Sequence, residues 1–292
     1  MATGTVTRIK APTCNKGAAS IVFFYMGDSK FTTLFQETTK LKKAMQGYKK
    51  IILLKHNETD SLLDFSEADE RLADKVVKPT KANFFKYIIE LAQEGYYLDI
   101  WIWSHGWSNS FRCSNGTFGS KESIKNTDIE AELSKSKSGL TTIPIRMVYQ
   151  INCYGSTLSD TWTKMGAKVS IGTRYVNFYP TQFGKFASEW NKGTVKVSSA
   201  LKTSNTSTSR TLVQAYLATV HAPSTNKEWG KCKLFQTVLG SSDCAKEYFD
   251  KMWGLDSEWQ SGQSGKDNMN YSSTWLTQGS SSITKKTKPS WS

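Results

Sequence analysis

Two apolar runs, each closed by a reactive residue, constrain this chain more than any other feature. The first is Leu98-Asp99-Ile100-Trp101-Ile102-Trp103, followed by Ser104-His105-Gly106. The second is Ile145-Arg146-Met147-Val148-Tyr149-Gln150-Ile151-Asn152, followed by Cys153-Tyr154-Gly155-Ser156. Short runs rich in β-branched and aromatic residues predict buried strands. Open α/β sheets keep their ligands in the crevice beyond the carboxyl ends of the strands. A His and a Cys leaving neighbouring strands would face that crevice together, as a thiolate nucleophile and its base do.

The flanking pattern alternates. Ala19 to Met26 is a continuous apolar run and predicts a strand. Ser29 then reads as a helix cap, with Phe31, Leu34, Phe35, Leu41 and Met45 at helical spacing and Gly47 as the stop. Lys50 to Leu54 predicts a second strand, and 56–79 is charged and irregular. Pro79-Thr80 opens an amphipathic helix through Phe84, Phe85, Ile88, Ile89 and Leu91, stopped by Gly95. Strand, helix, strand, helix, strand implies parallel crossovers.

Further on, 107–126 reads as a loop or irregular hairpin, Thr127 caps a short helix through Leu133, and 134–142 is a polar linker. After the Cys153 strand, helices are expected at Leu158–Met165, Thr181–Trp190 and Val195–Leu201, with a strand at Ala167–Ile171. Ser204–Ser209 reads as a flexible loop. Beyond Pro223 the pattern weakens to one helix around Ala245–Met252 and a Gly/Ser/Gln-rich stretch at 256–282. The expected organisation is therefore a domain over 1–222 and an extension or subdomain over 223–292.

Composition narrows the function classes. At 292 residues the chain can bury a large core. No stretch approaches the roughly 20 apolar residues of a membrane span, so no membrane partner is expected. Met1–Ser20 is polar and lacks the apolar core of a secretory signal, which predicts a cytoplasmic protein. The five cysteines, at 14, 113, 153, 232 and 244, are odd in number and contain no C-x-x-C pair. That spacing predicts neither a zinc site nor a disulfide framework, and fits a reducing compartment. The net charge of +13 is uneven: residues 101–222 carry 14 Lys/Arg against 6 Asp/Glu. Such a surface attracts acidic proteins or nucleic acid, although no Arg/aromatic nucleic-acid motif stands out.

The arrangement of an apolar run with Ser104-His105-Gly106, then Gln150-Ile151-Asn152-Cys153-Tyr154-Gly155 with the Cys 48 residues after the His, resembles the caspase-like cysteine peptidases, with their His roughly 50 residues before the Cys. Caspases, metacaspases, clostripain and gingipains are members. The resemblance extends through Gly166-Ala167-Lys168-Val169-Ser170-Ile171-Gly172, Phe183, Phe186 and Gly193-Thr194-Val195, and covers about residues 19–220. Gly155-Ser156 reverses the Ser-Gly often found after the nucleophile, and Asn152 stands where metacaspases carry Asp-x-Cys.

The resemblance implies a three-layer αβα sandwich with a mostly parallel central sheet. It also implies a cysteine endopeptidase with Cys153 as nucleophile, His105 as general acid/base, and the Gly106 and Cys153 amides as oxyanion hole. No cofactor is implied; the partners are a protein or peptide substrate and an activating protein. Caspase-like enzymes select substrate with a charged or polar group beside the nucleophile. Arg174 is the candidate for an acidic side chain and Asp160 for Lys or Arg. Two other readings stand beside this one: a catalytically silent module of the same fold, and a basic nucleic-acid-binding protein in which His105 and Cys153 are incidental. His56 and His221 are expected to be surface or structural, and Cys14, Cys113, Cys232 and Cys244 structural.

Overall fold

The computed structural model describes residues 9–26, 38–56, 72–173, 181–205 and 275–291, and within them the apolar runs become one sheet of seven strands. In chain order these are β1 (Gly17–Tyr25), β2 (Lys50–Leu54), β3 (Lys75–Val77), β4 (Tyr96–Ser104), β8 (Ile145–Gln150), β9 (Val169–Thr173) and β10 (Trp275–Gly279). A small separate sheet holds β5 (Gly106–Trp107), β6 (Ser110–Cys113) and β7 (Glu122–Lys125). The large sheet runs β10-β9-β8-β4-β1-β2-β3, parallel throughout except for β10.

The helices are α1 (Thr38–Met45), α2 (Lys81–Glu94), α3 (Asn126–Glu132), α4 (Lys135–Ser138), α5 (Ser159–Met165), α6 (Thr181–Asn191) and α7 (197–205). They cover both faces of the sheet, because alternate strand residues point to opposite sides. Val22, Phe24, Trp101, Trp103, Met147 and Tyr149 pack with α1, α6 and α7 through Leu41, Phe183, Phe186, Trp190 and Ala200. Ile21, Phe23, Ile100, Ile102, Ile145 and Val148 pack with α2, α3 and α5 through Phe84, Ile88, Leu91, Ile129 and Trp162. The result is the expected three-layer αβα sandwich.

Local signals set the helix ends. Thr80 accepts a hydrogen bond from the Asn83 N–H at 3.2 Å and caps α2. Gly95, at φ 98°, closes it in the left-handed conformation that glycine adopts without a Cβ clash. The cap of α3 differs from expectation. The helix begins at Asn126, so Thr127 lies inside its first turn, and Asp128 reaches back to accept from the Lys125 N–H at 2.8 Å.

Several stretches read as irregular are ordered by distant partners. Lys75–Val77, inside the charged 56–79 segment, pairs with β2. The 107–126 segment forms β6 and β7, with the turn into β6 made by Asn109 at φ 60°. The polar 134–142 linker contains α4 and buries Leu140, which bridges to Lys10. Gln278 and its neighbours add β10 antiparallel to β9. The chain then continues to Trp291, which stacks on Tyr97 and donates to the Gly166 carbonyl at 2.9 Å. Of the 223–292 segment, therefore, residues 275–291 build the sheet edge and its flank; 223–274, with the helix expected near Ala245, lie outside the described residues, as do 29–37 of the first expected helix.

One buried polar cluster crosses the core. Asp99 and Arg146, both fully buried, interrupt the two apolar runs. The register of β4 on β8 shifts between Leu98 and Asp99 and skips Arg146, a bulge that turns the arginine toward the carboxylate. Asp99 also accepts from Tyr48 Oη at 2.7 Å and Trp190 Nε1 at 3.2 Å. Arg146 donates to the carbonyls of Lys285 and Thr287, tying the last described segment to the sheet. Burial opposes the charge on Arg146, but Asp99 outweighs it and raises the arginine pKa. Burial, and then the charge of Asp99, push the Tyr48 phenol well up.

Candidate active site

β4 and β8 are neighbours in register as far as Ile102 and Gln150, and the Ile151 N–H donates to the Ile102 carbonyl at 2.9 Å. His105 and Cys153 each stand three residues beyond that last pair. Both leave the sheet at the same carboxyl edge, on adjacent strands. The strand order reverses between β1 and β4, one strand away, which is where open α/β sheets form their ligand crevice.

The backbone after Cys153 turns sharply. Tyr154 takes left-handed angles, φ 54° and ψ 23°, and a 3-10 turn over Gly155–Leu158 leads into α5. A non-glycine residue there costs about 1–2 kcal/mol. The turn is held by the Gly155 N–H on the Asn152 carbonyl (3.1 Å), Thr157 Oγ1 on the Tyr154 carbonyl (2.8 Å), and Thr173 Oγ1 on the Asn152 carbonyl (2.9 Å). Two glycines permit this packing. A Cβ on Gly172 would meet the Gly155–Ser156 backbone, and one on Gly106 would strike the Cys153 carbonyl and stand 2.7 Å from Asn152 Nδ2.

Gly106 therefore lies directly against the Asn152–Cys153 segment. Its strand is fixed from the other side: Arg112 N–H donates to the His105 carbonyl at 2.9 Å and Ser104 Oγ to the Arg112 carbonyl at 2.7 Å. That pattern makes Gly106 and Phe111 a non-hydrogen-bonded pair, so the Gly106 N–H points away from β6. The hairpin tip is tied to the turn after Cys153, since the Asn109 N–H donates to Thr157 Oγ1 at 2.7 Å. Asn152 is buried, and its Oδ1 has no hydrogen-bond partner among the described residues.

The three described thiols are not alike. Cys14 and Cys113 are buried, and Cys153 is partly exposed. Burial pushes the Cys14 thiol up. Burial, aided by Glu122, pushes Cys113 up to about 12. A thiol attacks as its thiolate, so these two are inert near neutrality.

Asp160 sits exposed in the first turn of α5 and accepts a hydrogen bond from Gln278 of β10. Arg174, His221, Cys232 and Cys244 lie outside the described residues. His56 is buried at the end of β2 with a 2.6 Å hydrogen bond to Ser114 Oγ and ring contacts to Tyr25 and Phe118, a structural placement. Among the described residues no group of three or more His, Cys, Asp or Glu is placed to hold a metal, and no helix is long and apolar enough to cross a membrane. Sequence reasoning missed Trp107, Asn109 and Arg112. The signal available was the polar Ser108-Asn109 pair between Trp107 and Phe111, which marks a tight hairpin.

No protein-family model matches the sequence, and a comparison with curated proteins finds no match. Among solved structures, the fold is similar to a secreted C11 cysteine protease from Bacteroides thetaiotaomicron in complex with an irreversible peptide inhibitor. That likeness has 10% identity, covers 80% of this chain and 81% of that one, and has a TM-score of 0.43. A second similar structure is a secreted C11 cysteine protease from the same organism, called iotapain, at 12% identity, 72% and 70% coverage, and a TM-score of 0.42.

Proposed function

We propose that the chain is a cysteine peptidase in which Cys153 is the nucleophile and His105 the general acid and base. The observation that carries this reading is the shared register: the imidazole and the partly exposed thiol emerge from adjacent parallel strands at equal distance past their last paired residues. In the proposed reaction the Cys153 thiolate attacks the carbonyl carbon of a peptide bond. The C–N bond breaks as the protonated His105 passes its proton to the leaving amine. Water, deprotonated by His105, then hydrolyses the thioester and restores the thiol.

The tetrahedral intermediates carry an oxyanion, and the N–H groups of Gly106 and Cys153 are the proposed donors. One such donor is worth roughly 3–4 kcal/mol in the transition state. The direction of the Gly106 N–H, away from β6, and the exclusion of any Cβ at that residue support this role. The partner is a protein or peptide substrate, and the chemistry uses no cofactor. The test is hydrolysis of a peptide library by wild-type protein, Cys153→Ala and His105→Ala. Cleavage by wild type should fall by orders of magnitude in both variants while their circular dichroism is unchanged. Turnover in Cys153→Ala at the wild-type rate would overturn the reading.

A further inference from the structure

The small sheet beside His105 has one buried face and one open face. Phe111, Cys113 and Ile124 point into the core. By the alternation of the pleat, Trp107, Ser110, Arg112, Ser123 and Lys125 occupy the opposite face, and His105, paired with Arg112, leads onto it. We propose that this open face binds the leaving-group side of an extended peptide substrate, holding an acidic side chain between Arg112 and Lys125 and laying the peptide against Trp107. The proposal rests on the peptidase reading above.

Three observations carry it. Trp107 is 48% exposed, two residues from His105, and is held by the Arg112 guanidinium 5.3 Å from its ring. Aromatic side chains and arginine are the residues enriched where proteins contact partners. Arg112 is half-buried on that face, and among the described residues no carboxylate forms an ion pair with it, so the accessible part of its guanidinium can take one. Among the described residues, no carboxylate on the same face answers the charge. Glu122 lies opposite Cys113, on the other face. Asp128 already accepts from the Lys125 N–H at 2.8 Å and pairs with Lys81 at 3.1 Å. The face is therefore complementary to an acidic segment.

The direction of the substrate follows from the chemistry. The imidazole hands its proton to the leaving amine, so it must stand on the side of the residues that follow the cleaved bond. The surface that continues from His105 receives those residues. Neighbouring strands are about 5 Å apart and an extended peptide advances about 3.3 Å per residue, which places Arg112 and Lys125 within reach of the second and third residues after the bond.

The experiment uses the best-cleaved sequence from a peptide library in three forms. One is an aminocoumarin amide with nothing after the cleaved bond. The other two are quenched peptides that differ only in Asp or Lys at the second and third positions after it. Wild type should prefer the Asp peptide about tenfold in kcat/KM. Arg112→Gln and Lys125→Gln should each cut that ratio about fivefold, and Trp107→Ala should raise KM for both peptides. Lys125 is exposed, so its variant decides the matter if Arg112→Gln fails to fold. A ratio near one in wild type, or a ratio unmoved by Lys125→Gln, overturns the proposal while cleavage of the aminocoumarin amide leaves the peptidase reading standing. Absence of Cys153-dependent cleavage of all three substrates overturns both.

Discussion

Arg146 holds both carboxylate oxygens of Asp99, through Nε at 2.8 Å and Nη2 at 2.6 Å, at the amino-terminal end of the two strands that carry His105 and Cys153 at the other. The pair lies inside the sandwich, and its carbonyl partners come from Lys285 and Thr287, beyond the last strand. The core is thereby locked to the chain's final described segment. Removing one member strands an uncompensated buried charge, which costs about 3–5 kcal/mol. Arg146→Met should lower the urea unfolding free energy by that amount. Asp99→Leu with Arg146→Met should recover part of it, because the lost carbonyl contacts remain lost. A single-variant cost under about 1 kcal/mol, as for an exposed pair, would contradict this account.

Lys285 sits 4.2 Å above the Tyr48 ring and donates to Asn191 Oδ1 at 2.6 Å. Burial, with help from Arg146, lowers its pKa to about 8, against the pull of Asp99. An unfolded lysine titrates near 10.4. Between about pH 8 and 10 the unfolded chain therefore binds more protons at this residue, and stability rises with pH across that window. Tyr48 acts in the opposite direction above about pH 10, because its raised pKa keeps a proton that the unfolded phenol loses. Unfolding free energies of wild type minus Lys285→Met should climb from pH 8 to 10. A flat difference would remove the effect.

Alkylation by iodoacetamide should discriminate among the thiols. Cys113, pushed up to about 12, carries almost no thiolate below about pH 10, and burial also pushes the Cys14 thiol up. Mass mapping between pH 6 and 9 should find Cys153 modified first, with Cys113 unmodified until the protein unfolds. His105→Ala should slow modification of Cys153 and leave Cys113 as it was. Equal labelling of Cys113 and Cys153 in folded protein would count against the assignment of the nucleophile.

Gly106→Ala and Gly172→Ala should fail in different ways. An added methyl at Gly106 presses on the Cys153 carbonyl and on Asn152, so it displaces the proposed oxyanion donors. The expected loss is about 10²–10³ in kcat, that of one donor. The methyl at Gly172 presses on the Gly155–Ser156 backbone, in the turn after Cys153. Overpacking of this kind costs typically 1–3 kcal/mol, so the melting temperature should fall as well. Full activity in Gly106→Ala would remove the hole as described.

The sequence by itself determined the parallel core of the fold and the placement of His105 and Cys153 at two strand exits. Strands such as Ile145–Gln150 and helices such as Lys81–Glu94 are encoded by nearby residues: apolar runs, a threonine cap, a closing glycine. The exits of β4 and β8 could be read from where each apolar run stops. Tertiary structure alone decided what depends on residues far apart in the chain. Trp275–Gly279 reads as a polar, glycine-containing stretch because an edge strand needs a partner, β9, more than it needs an apolar pattern. Leu140 and β3 are ordered in the same way, by contacts with Lys10 and β2. Asp99 and Arg146 are each a fault in an apolar run when read alone; only the bulge that turns one toward the other makes them a bonded pair. The open face of β5–β6–β7 is invisible in the sequence for the same reason. Trp107, Arg112 and Lys125 share a surface because strand pairing, which local residue preferences do not specify, sets their register.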